Sequence, residues 1–305
     1  MNDLYNGMIN VYKEKGYTSF DVVALMRGIA GQRKVGHAGT LDPNAEGVLP
    51  ICLGNATRLC DMLTDKQKEY IATFTLGIRT DTLDMTGEIL EKRDVVADQN
   101  SICEAAASFV GGYNQIPPMF SAKQIDGHRL YDIARAGRDI ERKPVWVDIS
   151  EIEILSVDIP TVRMRVVCGK GTYIRSLCED IAAKCNDIAV MTDLVRTRVC
   201  DFTIETAHTL KQLEAIKNDA GLGGYVVNTD EFLNFYPAVT VLPEFRKLVD
   251  NCNPLKKTML CEKAWFNDKD KVRVYNDAKE FVGVYEFSKS RYGFYPYKIF
   301  PREQE

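Results

Sequence analysis

A chain of 305 residues with 45% hydrophobic side chains and a net charge of −4 is long enough to bury one large core and a smaller second one. No apolar run reaches the length of a membrane span, and the opening residues MNDLYNGMINVYKEKG lack the apolar centre of a signal peptide. Nine scattered cysteines without a C-x-x-C pair, and three histidines far apart, disfavour a disulfide framework and an ordinary zinc site and predict reduced thiols in the cytoplasm.

The first element in chain order is a helix, with Ser19 as its cap, Val22, Leu25, Met26 and Ile29 as its apolar stripe and Gly31 as its stop. GHAGTLDPNAEGVLP (Gly36–Pro50) follows, with three glycines and two prolines in fifteen residues. Glycine removes the side-chain barrier and proline fixes φ, so the run describes a rigid loop that other chain segments can approach closely. It presents His37 and Asp42 but no thiol and no Gly-Lys-Ser element, which points to chemistry done by an aspartate. Asp before Pro is by itself a common turn; a fifteen-residue pattern of this kind exceeds what a turn requires.

Val48–Leu53 reads as a short strand, and a helix with Leu59, Cys60 and Leu63 on one face comes next. Lys68–Ile78 alternates as a half-buried strand should, with Tyr70, Ala72, Phe74, Leu76 and Ile78 sharing a face. The turn-rich RTDTLDMTGE contains Asp84, read as a turn cap, and residues 101–110 form an amphipathic helix. In Ile116–Gly137 a loop leads at Asp126 into a short helix (Leu130, Ile133, Ala134) that Gly137 stops. Its Lys123, Arg129 and Arg135 mix with Phe120 and Tyr131, a composition suited to an RNA loop whose splayed bases stack on rings and guanidinium planes.

Val145–Val157 and Thr161–Cys168 read as strands, and Gly169–Thr172 turns into a helix with Ile174, Leu177, Cys178, Ile181, Ala182 and Cys185 at helical spacing. The G-K-G-T turn is no nucleotide loop, because Met164 stands where the first glycine of that motif belongs. Tyr173 and Arg175 fall off the core stripe at the helix start, where a guanidinium can hold a carboxylate in its charged form. After Phe235-Tyr236-Pro237 the chain becomes strand-rich, basic and aromatic. Lys and Arg outnumber Asp and Glu 13 to 10 in residues 241–305 and 7 to 4 in 161–200. These islands in an acidic chain are compatible with nucleic-acid binding. The irregular alternation of strands and helices predicts an α+β fold with a mixed sheet and a boundary near Pro237.

Read together, GHAGTLDPNAEGVLP, KEYIATFTLG with RTDTLDMTGE, PPMFSAKQIDGHRLYDIARAG, GTYIRSLCEDIA and LVRTRVCDF resemble, in this order, the bacterial tRNA pseudouridine synthase B family. The resemblance implies a pseudouridine synthase fold over residues 1–237. Its central sheet is mixed and mainly antiparallel, flanked by helices, with a tRNA-binding insertion near 116–143. Residues 238–305 would form a small β-barrel PUA-like RNA-binding domain. The implied reaction converts uridine 55 in the tRNA T-loop to pseudouridine, with a flipped base and without metal, nucleotide or other cofactor. The partner is the T-arm of tRNA, and the enzyme is expected to act as a monomer in the cytoplasm.

By the same resemblance Asp42 is the nucleophile, Arg175 pairs with it and keeps it charged, and Tyr70 stacks on the uracil and assists removal of the C5 proton. Tyr173 and Leu194 line the pocket, and His37 fills the space that flipped nucleotides vacate. Lys13, Lys123 and Arg129 are grouped with the RNA-contacting side chains. Three departures stand out. The family's N-terminal D-K-P-x-G-x-T-S is Tyr12–Ser19 here, keeping Lys13, Gly16, Thr18 and Ser19. Cys200 and Ala182 replace expected glycines. The competing readings are a tRNA-binding folding chaperone with weak or lost catalysis, a synthase for another RNA, and a bare RNA-binding module.

Overall fold

A computed structural model describes residues 5–300 apart from 122, 126 and 136–139, with only the backbone given at 124, 125, 128, 129, 131 and 135. Four strands carry the N-terminal part of the main sheet: β1 (Gly7–Lys13), β2 (Val35–His37), β3 (Glu46–Leu53) and β4 (Lys68–Leu76). In β4 every second residue, from Lys68 through Tyr70, Ala72 and Phe74 to Leu76, is buried, and the residues between are half-buried. A strand covered on both faces belongs inside a sheet. Accordingly, β4 lies between Thr161–Cys168 and Ala189–Val199, antiparallel to both.

The sheet runs Ile149–Asp158, Thr161–Cys168, β4, Ala189–Val199, β3, β1, Val226–Asn228, with β2 and Phe202–Thr203 paired at its side. Its one parallel strand ladder among the described residues joins β3 to Ala189–Val199, where Gly47 faces Arg196. That junction brings the Gly36–Pro50 loop, β4 and the LVRTRVCDF segment together. It leaves no room for a side chain at Gly47: φ is +107°, and a Cβ would lie 2.2 Å from the Arg196 carbonyl oxygen.

Helices cover the sheet where their stripes demand it. Ile174–Lys184 lays Ile174, Leu177, Cys178 and Ile181 against Ala72, Phe74 and Leu76, beside the helix Gln99–Ala107. Helix α1 (Ser19–Ala30) buries Val22, Val23 and Met26 against Ile9, Val11, Leu49 and Ile51. Beyond Pro237, four strands form a separate sheet around Val239, Val272, Tyr285 and Phe294. Val284 and Phe300 of that part lean on Met8, Cys52 and Leu59. The architecture is α+β with a mixed, mainly antiparallel sheet and a small β-rich C-terminal part.

Several local expectations are corrected. Thr18, not Ser19, caps α1, because its hydroxyl accepts the Asp21 N–H in a reciprocal capping box, and Ser19 is turned inward. Leu25 is exposed, since Val23 takes the core-facing place. The helix around Leu59 is a 3-10 turn, Gly54–Leu59, followed by one α turn, Cys60–Thr64. Val145–Val157 is not one strand: Val145–Val147 pairs with Tyr113–Gln115, and the ladder changes partner at Asp148, whose carbonyl accepts the Gly169 N–H. A two-stranded ladder, Gln124–Ile125 with His128–Arg129, precedes the helix Leu130–Arg135. The expected start of that helix at Asp126 and its stop at Gly137 lie outside the described residues.

Cys200 opens the two-residue turn between Ala189–Val199 and Phe202–Thr203 with φ at +52°, a position where glycine is favoured. The thiol-bearing residue is therefore held in a left-handed conformation that costs about 1–2 kcal/mol. Cys200→Gly is expected to stabilise the protein by about 0.5–1 kcal/mol, the loss of partial side-chain packing and unfolded-state entropy offsetting part of the relief. Urea denaturation would show this as a higher midpoint at unchanged slope.

Candidate active site

The Asp42 loop is fastened by its peptide groups. From below, the Arg196 guanidinium, 0% exposed, donates to the carbonyls of Gly39 at 3.0 Å and Thr40 at 3.4 Å, while its Nε binds the Val48 carbonyl at 2.7 Å. From the side, the Ser19 hydroxyl accepts the Leu41 N–H at 2.9 Å and donates to its carbonyl at 3.3 Å. The Lys13 ammonium, also 0% exposed, donates to the carbonyls of Pro43, Tyr17 and Glu14, and the Gly16 N–H reaches the Pro43 carbonyl at 2.9 Å. Gly39 permits this closeness with φ at +87° and Lys68 and Arg196 packed under it.

These contacts explain the retained half of the altered N-terminal motif. Lys13, Gly16 and Ser19 hold the loop, and Thr18 starts the helix that carries Ser19. Lys13 was grouped with RNA-contacting residues, and this is corrected: it is wholly buried and its three donors are spent on main-chain carbonyls. Burial pushes its pKa down to about 8.

Asp42 stands at the mouth of a cavity of about 280 Å³, with 41% of its side-chain surface open. Its Oδ2 lies 2.9 Å from Nη2 of Arg175, which is buried at the start of the Ile174–Lys184 helix. The Arg175 guanidinium also donates to the carbonyls of Thr82 (2.9 Å) and Phe120 (3.0 Å) and has Asp84 at 3.6 Å. Asp84 caps its own turn, accepting from Thr82 and Thr86, and faces Arg175 as well. Arg175 and Lys13 both pull the Asp42 carboxyl toward ionisation. Desolvation of the carboxyl by the atoms packed around the cavity mouth, reinforced by the Asp84 charge, outweighs them and raises its pKa above the ordinary aspartate value. The expected pairing is present, but its net effect on Asp42 differs from the simple lowering that a guanidinium alone would give.

Tyr70, Tyr173 and Leu194 line the same cavity as Asp42 and Arg175. Tyr70 is buried, which raises its phenol pKa, and Arg196, within hydrogen-bonding reach, opposes the shift. Leu194 faces Ala72 across the ladder and is buried. Gln115 grips the Tyr173 peptide from both sides, its amide oxygen accepting the N–H at 2.8 Å and its amide nitrogen donating to the carbonyl at 3.0 Å. His37 ends β2, its ring edge-on to Phe20 with centroids 5.4 Å apart, and burial lowers its pKa. Lys123 is half-buried and does not line the cavity, and the Arg129 side chain lies outside the described residues.

Two cations escaped the reading of the sequence. Arg196 sits in LVRTRVCDF, where only Leu194 drew attention. Lys68 opens KEYIATFTLG, lines the cavity, donates to the carbonyls of Thr64 and Lys66 and is pushed down by burial to about 8. The available signal was position: both lie on the buried faces of strands, where an unpaired charge is unaffordable unless the backbone satisfies it.

The family model for TruB family pseudouridylate synthases (N-terminal domain) matches residues 27–174. A tRNA pseudouridine synthase B of Lachnoclostridium phytofermentans is 47% identical over 307 residues, covering 97% of this chain and 99% of its own. The chain belongs to the TruB family. Its Clostridium acetobutylicum member is 42% identical over 284 residues, covering 93% of this chain and 96% of its own. Among solved structures, an H/ACA RNP bound to a substrate RNA containing 2′-deoxyuridine superposes with a TM-score of 0.72 at 25% identity, over 97% of this chain and 86% of that one. A Cbf5-Nop10-Gar1 complex gives 0.71 at 26%, with the same coverage.

The buried Lys13 contacts predict a local effect of their loss. Lys13→Met leaves the Pro43 carbonyl with one donor fewer, and amide exchange at Gly16 and Ala45, which close the same loop, is expected to speed up about tenfold. Exchange in the β4 core should stay unchanged; equal acceleration everywhere would mean that Lys13 serves the whole fold rather than the loop.

Proposed function

We propose that this TruB family member isomerises uridine 55 in the T-loop of tRNA to pseudouridine, with Asp42 as the nucleophile. The observation that supports it most is the Asp42 carboxylate held 2.9 Å from buried Arg175 in a cavity walled by Tyr70, Tyr173 and Leu194. In the reaction the N1–C1′ bond breaks and a C5–C1′ bond forms. The C5 proton leaves and N1 gains one, so the balance closes without a co-reactant. An ionised carboxylate can form the transient covalent bond and then depart. Arg175, fixed by two carbonyls and two carboxylates, steadies its charge without moving.

A cavity of about 280 Å³ suits one nucleoside and not a stacked strand, so the target uridine must leave its loop. Tyr70 then offers its ring to the uracil. Its raised pKa keeps the hydroxyl protonated at neutral pH, so Tyr70 can take the C5 proton only after giving up its own, and the Arg196 guanidinium behind it favours that phenolate. We assign residues 1–237 to catalysis and 238–305 to a PUA-like RNA-binding domain, in a monomeric cytoplasmic enzyme.

A T-arm minihelix with a single labelled uridine at each position in turn tests this reading. Product at position 55 alone is expected; tight binding without product would favour a folding chaperone, and product at other sites a different RNA substrate.

The pH dependence follows from the carboxyl. Asp42 acts ionised, so activity falls as pH drops through its pKa, and because that pKa is raised the acid limb lies above where an ordinary aspartate would put it. Asp84 contributes to the raising, so Asp84→Asn is expected to move the acid limb of kcat/KM to lower pH. A shift upward, or none, would contradict the assigned coupling.

A further inference from the structure

Phe20 is 66% exposed at the first turn of α1, an unusual place for a phenyl ring so close to a catalytic loop. Single exposed apolar side chains are ordinary on protein surfaces. Phe20 differs in how it is mounted and in what it touches. Its ring meets the His37 ring edge-on, at 5.4 Å between centroids and 88° between planes. The backbone just before it is tied to the Asp42 loop. The Tyr17 carbonyl accepts from Lys13 at 2.7 Å, Thr18 and Asp21 cap each other, and the Ser19 hydroxyl is locked on Leu41.

The TruB family reading makes the substrate an RNA, and aromatic faces hold the unstacked bases of an RNA loop. A folded protein partner would gain little from a single ring, whereas a flexible RNA loop gains a stacking surface.

We propose that Phe20 is a positioning residue that stacks an unpaired base of the substrate RNA loop beside His37. The proposal rests on the functional reading above for the nature of the substrate. A base seated there is displaced from its own neighbours, and the edge contact with His37 keeps the phenyl face turned to receive it. Base–ring stacking is worth about tenfold in affinity for a base held this way.

The experiment measures binding of a T-arm minihelix and of a stem-only duplex, together with steady-state kinetics on the minihelix. Phe20→Ala should weaken minihelix binding and raise KM about tenfold, with kcat and duplex binding unchanged. Phe20→Tyr should restore wild-type values, and Leu25→Ala, which removes another exposed apolar side chain of α1, should change nothing. Equal loss on the duplex, no loss at all, failure of tyrosine to rescue, or a fall in kcat at unchanged KM would each overturn the proposal. Failure of the functional reading would show instead in the wild-type protein, as absence of product from the minihelix, while the two binding arms would still report on Phe20.

Discussion

The site depends on main-chain carbonyls turned toward two buried cations. Among the described residues, Arg196 and Lys13 have no carboxylate partner of their own at hydrogen-bonding distance; they are satisfied by the carbonyls of Gly39, Thr40, Val48 and Pro43 and by those of Glu14 and Tyr17. A charged donor on a neutral acceptor contributes about 1.5–3 kcal/mol, and leaving either side unmet inside the protein costs as much. The loop is thereby held from β1, α1 and the Ala189–Val199 strand at once, and Asp42 inherits its place from all three.

Carbonyl satisfaction also leaves the positive charge free to act. A carboxylate beside Arg196 would have cancelled its field, whereas carbonyl dipoles only solvate it. Lys13 and Arg196 therefore join Arg175 in setting a positive environment around Asp42 and Tyr70, against which desolvation and Asp84 push the other way. A carboxylate poised by opposing influences stays responsive to what enters the cavity. A bound uracil expels water, strengthens every charge interaction within, and changes that balance at the moment it is used.

Much of this was legible in the sequence where local period decides structure. The alternation of β4 and the stripe from Ile174 to Ala182 are buried as their spacing predicts. The convergence of Asp42, Tyr70, Tyr173, Arg175 and Leu194 was legible only through the family resemblance, because those residues come from four separate segments. What stayed hidden has a common cause. Lys13 and Arg196 act on carbonyls 30 and more than 150 residues away, and no side-chain pattern records which peptide a cation will meet. Thr18 and Ser19 are both competent caps, and only the tertiary demand of Leu41 for a hydroxyl separates them. The break at Asp148 is invisible for the same reason: the residues on both sides suit strands, and the change is in the partner.

We propose that the Asp42 carboxylate, held by Arg175 on this fastened loop, performs the bond exchange. Single-turnover formation of pseudouridine in a T-arm minihelix by Asp42→Asn, at saturating enzyme and with binding measured in parallel, tests it most directly. Intact binding and no product above background are expected. Product formed by the asparagine variant at the wild-type rate would contradict it.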